Sequence, residues 1–492
     1  MKTLLSFVGS MKSMVVLMLI FAFAIGYATI VENDYGTMTA KAEIYNAQWF
    51  NVLLGLLALN LIYNIIHFKM YTLKKAPIFI FHVAFLVILF GAAITRYMGY
   101  EGIMHIRNGM IASSMMSSDP YFDVEAKVGD KVVSYSKIAY LSKRLNNDLE
   151  ASLDVAGKDV DVTLEKYIPN AITSIVEDPK GSSMLSLMVT GGGRGKPVAL
   201  DKGNYYNAGN FILDFQSGKT FKKPTISIFL KENKLYMKHN MTLSYMKMSD
   251  RSKGELAASN NDLLNNRVLY TTKLGSFVLR KYLAHAVKKV ITNPNAKLRD
   301  SGLGLLRFSV DVDGKKKNVT AYFRKGLEGE ASHVNVNGVD VYVSFGAKEI
   351  QIPFQLKLLK FKLDRYPGSM SPASYASEVE VIDKADNFHE KYRIYMNHIL
   401  EYKHYRFFQS SYDMDEGGTV LSVNHDPGTV PTYIGYALLA FGLFWTLFSR
   451  KHRFSRLSKK AKDAAKAKAI PALLAVGVLL SVNPSVHADS LD

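Results

Sequence analysis

Of the chain's 12 histidines, His82 stands out by its surroundings. It lies inside the apolar run 77–95 (PIFIFHVAFLVILFGAAIT), five residues beyond Pro77. At about 1.5 Å of rise per residue, that is about 7 Å into a helix. An ionisable side chain at such depth in a bilayer is costly, so its presence points to function. A neutral imidazole can ligate haem iron, and Phe79, Phe81, Val83 and Phe85 offer the apolar wall that a porphyrin needs. A hydrogen bond to a neighbouring helix would satisfy it equally, and the residues alone leave both readings open. His67 is the weaker candidate, because it closes the run 48–67 at a boundary where a headgroup-facing imidazole needs no ligand role. If both histidines faced each other at one depth they would form a bis-His site of the b-type cytochrome kind. His105, His398, His404 and His425 fall outside the apolar runs and read as solvated or structural.

Other chemistries are excluded or unsupported. With no cysteine, the chain has no disulfide, thiolate zinc site, iron–sulfur cluster or CxxC redox motif of its own. It carries no P-loop, HExxH, nucleophile motif or paired-carboxylate signature, and GGGRG at 191–195 reads as a loop. No catalytic residue is assigned. A length of 492 residues exceeds one compact core, and a 48% hydrophobic content excludes disorder.

The elements that position His82 are apolar helices. Runs 14–30, 48–67 and 77–95, and a fourth at 431–448, each have about the length that crosses a bilayer. The first is read as a retained anchor, since two further spans follow closely. Lys69, Lys74 and Lys75 follow the second run, and nine Lys and Arg against Asp463 occupy 450–469. The positive-inside rule puts both segments in the cytoplasm, with the N-terminus inside and 97–430 outside. Lipid headgroups are then the partner of the basic segment, and nucleic acid is not expected. Residues 470–488, with the apolar stretch 470–482, suit either a fifth span or an internal signal-like segment ending at Val486-His487-Ala488.

The fold class expected is therefore an α-helical transmembrane bundle, with a β-rich extracytoplasmic domain between spans three and four. Alternating stretches at 307–312 and 319–323, broken by Asp313-Gly314, and at 334–343, broken by Asn337-Gly338, signal hairpins. Strands are further expected at 225–230, 350–362, 377–382 and 391–396, with a helical patch at 278–290, in one or two packed sheets.

Four stretches are familiar as sequence: VENDYGTMTAKAEIYNAQWF (31–50), FIFHVAFLVILFGAAITRYMGYEGIMHIRNG (79–109), RYPGSMSPASYASEVEV (365–381) and MNHILEYKHYRFFQSSYDMDEGGTVLSVNHDPGTVPTYIGY (396–436). They resemble the CcsB (ResB) family of system II cytochrome c biogenesis, most closely the N-terminal half of fused CcsBA cytochrome c synthases. The resemblance implies a multi-pass protein of the bacterial inner membrane with a periplasmic domain. It implies a complex with CcsA, separate or as a fused C-terminal half, which carries haem b outward and attaches it to CxxCH motifs of apocytochrome c. Within that reading His82 is the transmembrane haem ligand, binding the iron. The attachment site is implied for the CcsA part, since Trp49 and Trp445 are the chain's two tryptophans and no WWD segment is present. Thiol-reducing partners are implied too, because the chain has no thiol to do that work. The outer domain, with Arg365, Tyr366 and 406–413, would brace CcsA or guide the apocytochrome, for instance by edge-strand addition. A bis-His cytochrome subunit and a membrane-anchored binding module are the competing expectations.

Overall fold

The computed structural model describes residues 9–191, 195–232, 234–299 and 302–448, together with Lys460 and Asp463. The basic segment 450–469, apart from those two residues, and the stretch 470–488 lie outside the described residues, as does the centre of GGGRG.

Among the described residues, four helices are long and apolar enough to cross a membrane. We label them α1 (Met11–Tyr35), α2 (Gln48–His67), α3 (Ala76–Met98) and α4 (Thr429–Phe448). Ser10 caps α1 by accepting from the Ser13 N–H at 3.1 Å, and Gly36 ends it with φ +88°. Pro77 opens α3, where its missing N–H costs nothing. Most of the apolar surface of these helices is left uncovered by protein, which suits helices whose solvent is lipid. The buried positions form narrow seams: Ala24, Ala28 and Val31 of α1 pack with Phe50, Leu53 and Leu57 of α2.

The chain divides into two compact units. The first comprises Met1–Glu165, Leu298–Asp300 and Arg307–Asp492 and includes all four helices. Its largest sheet has eight strands: β1 (Tyr100–Arg107), β2 (Ile111–Ser117), β3 (Glu349–Arg365), β4 (Pro372–Asp383), β5 (Phe388–Tyr395), β6 (Leu400–Tyr402), β7 (Tyr405–Tyr412) and β8 (Gly418–His425). Their order is β5-β4-β3-β2-β1-β8-β7-β6. The inward face buries Met104, Ile106, Leu356, Val379, Phe407 and Leu421. α3 runs straight into β1, and β8 runs straight into α4, so one antiparallel strand pair continues as one antiparallel helix pair.

The second unit, Lys166–Lys297 with Ser301–Leu306, is built on a separate core containing Leu187, Phe211, Phe215, Ile228, Met237 and Phe277. A five-stranded and a six-stranded sheet lie within it. Among the described residues there are five sheets, in place of the one or two expected.

The Asp313-Gly314 and Asn337-Gly338 turns have positive φ at both residues (49° and 83°, 51° and 78°), as a type I′ hairpin requires. The expected helical patch at 278–290 is instead part of the long strand Gly275–Thr292, paired with Ala171–Thr190. Register shifts between Leu279 and Lys281 and between Leu283 and Ala286 break the two-residue alternation. The buried side chains then recur at three- and four-residue spacing, which mimics a helix.

Candidate functional site

His82 sits in the second turn of α3. Its Nδ1 lies 2.7 Å from the carbonyl oxygen of Ile78. A carbonyl only accepts, so Nδ1 carries the hydrogen, and in the neutral imidazole Nε2 is then the lone-pair nitrogen. Metal-ligating histidines are held in the same way, with the second ring nitrogen donating to a carbonyl or carboxylate. The Phe81 ring stands 5.7 Å from the imidazole at 72°, and Phe85 stands 5.2 Å from Phe81 at 81°. The half-buried imidazole therefore has an aromatic flank and a fixed direction.

α4 fixes the helix that carries it. Gly428, Gly435 and Gly442 recur every seven residues and meet α3 along one line. A Cβ at Gly442 would stand 2.8 Å from Phe81 N, one at Gly435 would stand 3.0 Å from Ile88 N, and Gly428 meets the Gly91 and Thr95 turn. Small residues allow such close backbone approach where no hydrophobic effect drives helix association. The seam uses Phe81, Ala84, Ile88 and Gly91 and leaves His82, one residue from Phe81, turned about 100° away.

His67 is placed differently. It is exposed at the end of α2, stacked on Tyr63 at 5.3 Å and 11° and edge-on to Phe68 at 5.0 Å. All three residues belong to one helix end, so these contacts order the imidazole locally.

The other end of α3 is clamped by residues that the sequence offered no reason to group. Tyr100, at the start of β1, stacks on His425 at 4.6 Å and shares a hydroxyl hydrogen bond of 2.6 Å with Tyr405. Thr95 donates to Asp426 at 2.5 Å, and the same carboxylate accepts from the Gly428 N–H at 3.0 Å and from Arg406 at 3.4 Å. Burial, with His404 nearby, pushes the His425 imidazole below the usual histidine value. Farther along the β1/β8 pair, Arg107 bridges Asp413 (2.6 Å) and Asp415 (2.7 Å), and His105 Nε2 lies 2.9 Å from Asp413. The Arg107 hydrogen bond holds Asp415 down to about 2. Arg365 pairs with Glu416, and Tyr366 is exposed. The only sequence signal for these clusters was their closeness to the ends of the apolar runs.

Residues 326–420, which include β3 to β7, match the ResB-like family. The chain carries a ResB-like region. Beyond it, 482 residues, or 98% of this chain, align at 29% identity with Protein NrfI of Wolinella succinogenes. The chain spans 39% of the length of that relative. The ResB-like region ends in β8, the strand that leads into α4 and so towards the seam beside His82.

Proposed function

We propose that this chain acts in cytochrome c biogenesis as the haem-translocating and haem-delivering subunit of a synthase complex, with a CcsA-type partner supplying the attachment site. The four helices cross the inner membrane with the N-terminus in the cytoplasm, and the β-rich domain lies in the periplasm. The ResB-like region and the alignment with NrfI support the pathway. One observation carries the role: His82 Nδ1 is committed to the Ile78 carbonyl, so Nε2 is presented as a ligand from an apolar helix. In this reading haem is the cargo. His82 Nε2 binds its iron, Phe81 and Phe85 pack against the porphyrin, and the glycine seam holds α3 rigid while haem is loaded and passed on. The partner would supply a second iron ligand, the thioether chemistry would take place on CxxCH thiols of apocytochrome c, and separate reductants would keep those thiols reduced.

The test is an absorption spectrum with pyridine-haemochrome quantification of the purified protein, as wild type and as His82→Ala, each expressed with and without the CcsA-type partner. The expected result is haem that needs the partner and is lost in the variant. Haem retained by His82→Ala would overturn the ligand assignment.

A further inference from the structure

The positive charge is concentrated in the second unit. Residues 166–297 hold 21 Lys and Arg against 8 Asp and Glu, a net of +13 in a chain whose total is +18. Since 450–469 holds nine basic residues against one acidic, everything else together is slightly acidic.

The five-stranded sheet of this unit gathers part of that charge on one face. Its order is Asn261–Leu263, Lys234–His239, Thr225–Lys231, Ile212–Phe215, Asn204–Asn207. Ile226, Ile228, Leu235 and Met237 point into the core. Alternation turns their neighbours the other way, and the register sets Ser227 opposite Lys238, Phe229 opposite Tyr236 and Lys231 opposite Lys234. The Phe229 and Tyr236 rings are stacked at 6.0 Å and 19°, half-buried in the middle of the face. Leu263, partner of Tyr236 on the next strand, is 41% exposed. At the far side Lys219 stands 5.1 Å over the ring of Tyr205.

Lys231, Lys234 and Lys238 are exposed, and among the described residues none of them is in an ion pair. Four of the unit's eight carboxylates are paired elsewhere: Glu177, Asp178 and Asp201 with Lys281, Lys289 and Lys288, and Asp262 with His239. Glu232, exposed in the turn between Lys231 and Lys234, leaves the three-lysine rim with a net positive charge. Like charges directly opposite, as Lys231 and Lys234 are, destabilise a sheet, and a partner's carboxylates would relieve the repulsion.

We propose that this sheet face docks an acidic polypeptide, its carboxylates meeting Lys231, Lys234 and Lys238 and its apolar side chains covering Phe229 and Tyr236. An aromatic centre inside a charged rim is the anatomy of a protein interface. Membrane-surface binding uses an amphipathic helix that sinks its apolar side, whereas these rings lie within a pleated face. The two edge strands have three and four residues, too short for strand addition, so this sheet recognises its partner by its face. Opposite charge speeds the encounter and makes it salt-dependent.

The experiment uses the full chain in neutral detergent and two probes: a fluorescein-labelled glutamate–tyrosine copolymer, and vesicles of phosphatidylglycerol with phosphatidylcholine. The variants are Lys231→Glu/Lys234→Glu/Lys238→Glu, Phe229→Ser/Tyr236→Ser, and a control reversal in the same unit, Lys247→Glu/Arg251→Glu/Lys253→Glu. Tyr236→Thr replaces the double aromatic variant if that one does not fold. Copolymer anisotropy should show binding that both face variants weaken by about tenfold or more and the control by less than about twofold. Equal loss in the control would reduce the effect to bulk charge and overturn the site. Copolymer binding indifferent to the face residues, or face dependence seen only with vesicles, would overturn it as well.

Discussion

The rings of Tyr100 and His425 lie 4.6 Å apart and are stacked within 22°, and the two residues are register partners across β1 and β8. Each stands where a strand meets a helix, Tyr100 just after α3 and His425 just before α4. The stack therefore locks the sheet of the first unit to the helix pair that carries His82. It also sets the imidazole in half-buried surroundings, where the charged form is penalised.

That burial has a pH consequence. The folded His425 has a lowered pKa, whereas in the unfolded chain it titrates near the ordinary value of about 6.5. Between the two values the unfolded state binds more protons, so stability rises with pH. The contribution is complete above about pH 6.5 and is lost as pH falls towards the folded value. Thermal melts between about pH 5 and 8 should show wild type losing more stability on acidification than His425→Gln. Parallel curves for the two proteins would refute the assignment.

The ligation proposed for His82 is separable from its structural role. His82→Gly leaves a space beside Phe81, and added imidazole should restore part of the haem absorbance that the variant loses, in the presence of the partner. His67→Ala should keep its haem, because its ring contacts belong to its own helix end. Equal loss in both histidine variants would favour the bis-His cytochrome reading.

The glycine seam predicts a steep size limit. Gly435→Leu places side-chain atoms where Ile88 N already stands 3.0 Å from a Cβ, and overpacking of this kind costs about 1–3 kcal/mol. Denaturation in detergent should show it, together with reduced haem content. Gly26→Ala in α1, with nothing within 4 Å of the added Cβ, should be neutral or slightly stabilising.

Glu43 is a fourth point of sensitivity, in the π-helical segment Lys41–Tyr45 between α1 and α2. Its carboxylate accepts from Arg144 Nε at 2.8 Å and Nη2 at 2.5 Å and from the Ser142 hydroxyl at 2.5 Å, and its side chain is 6% exposed. Glu43→Ala strands these donors and should cost about 2 kcal/mol in chemical denaturation. Proteolysis of 137–149, the segment that this contact ties down, should accelerate in the same variant, and unchanged cleavage would argue against the tie.

Hydropathy and turn chemistry were legible because they are local. The four apolar runs became four helices of spanning length, differing from the expected bounds by a few residues. Asp313-Gly314 and Asn337-Gly338 marked their hairpins because few other pairs accept two positive φ values in succession. His82 was conspicuous because its type and its surroundings disagree. The direction of its imidazole was not, since that depends on a hydrogen bond to a carbonyl four residues back. Residues 278–290 of strand Gly275–Thr292 read as helix from sequence because bulges, which exist only relative to a paired strand, shift the alternation there. Thr95 and Tyr100 are separated along the chain by more than 300 residues from Tyr405, Arg406, His425 and Asp426, and the pairing of β1 with β8 brings the two groups together. The sequence by itself determined the solvent preference of each segment and its sharpest turns. Register, the helix seam and the aromatic lysine-rimmed face were decided by tertiary structure, because each is a relation between strands or helices that no single stretch of chain contains.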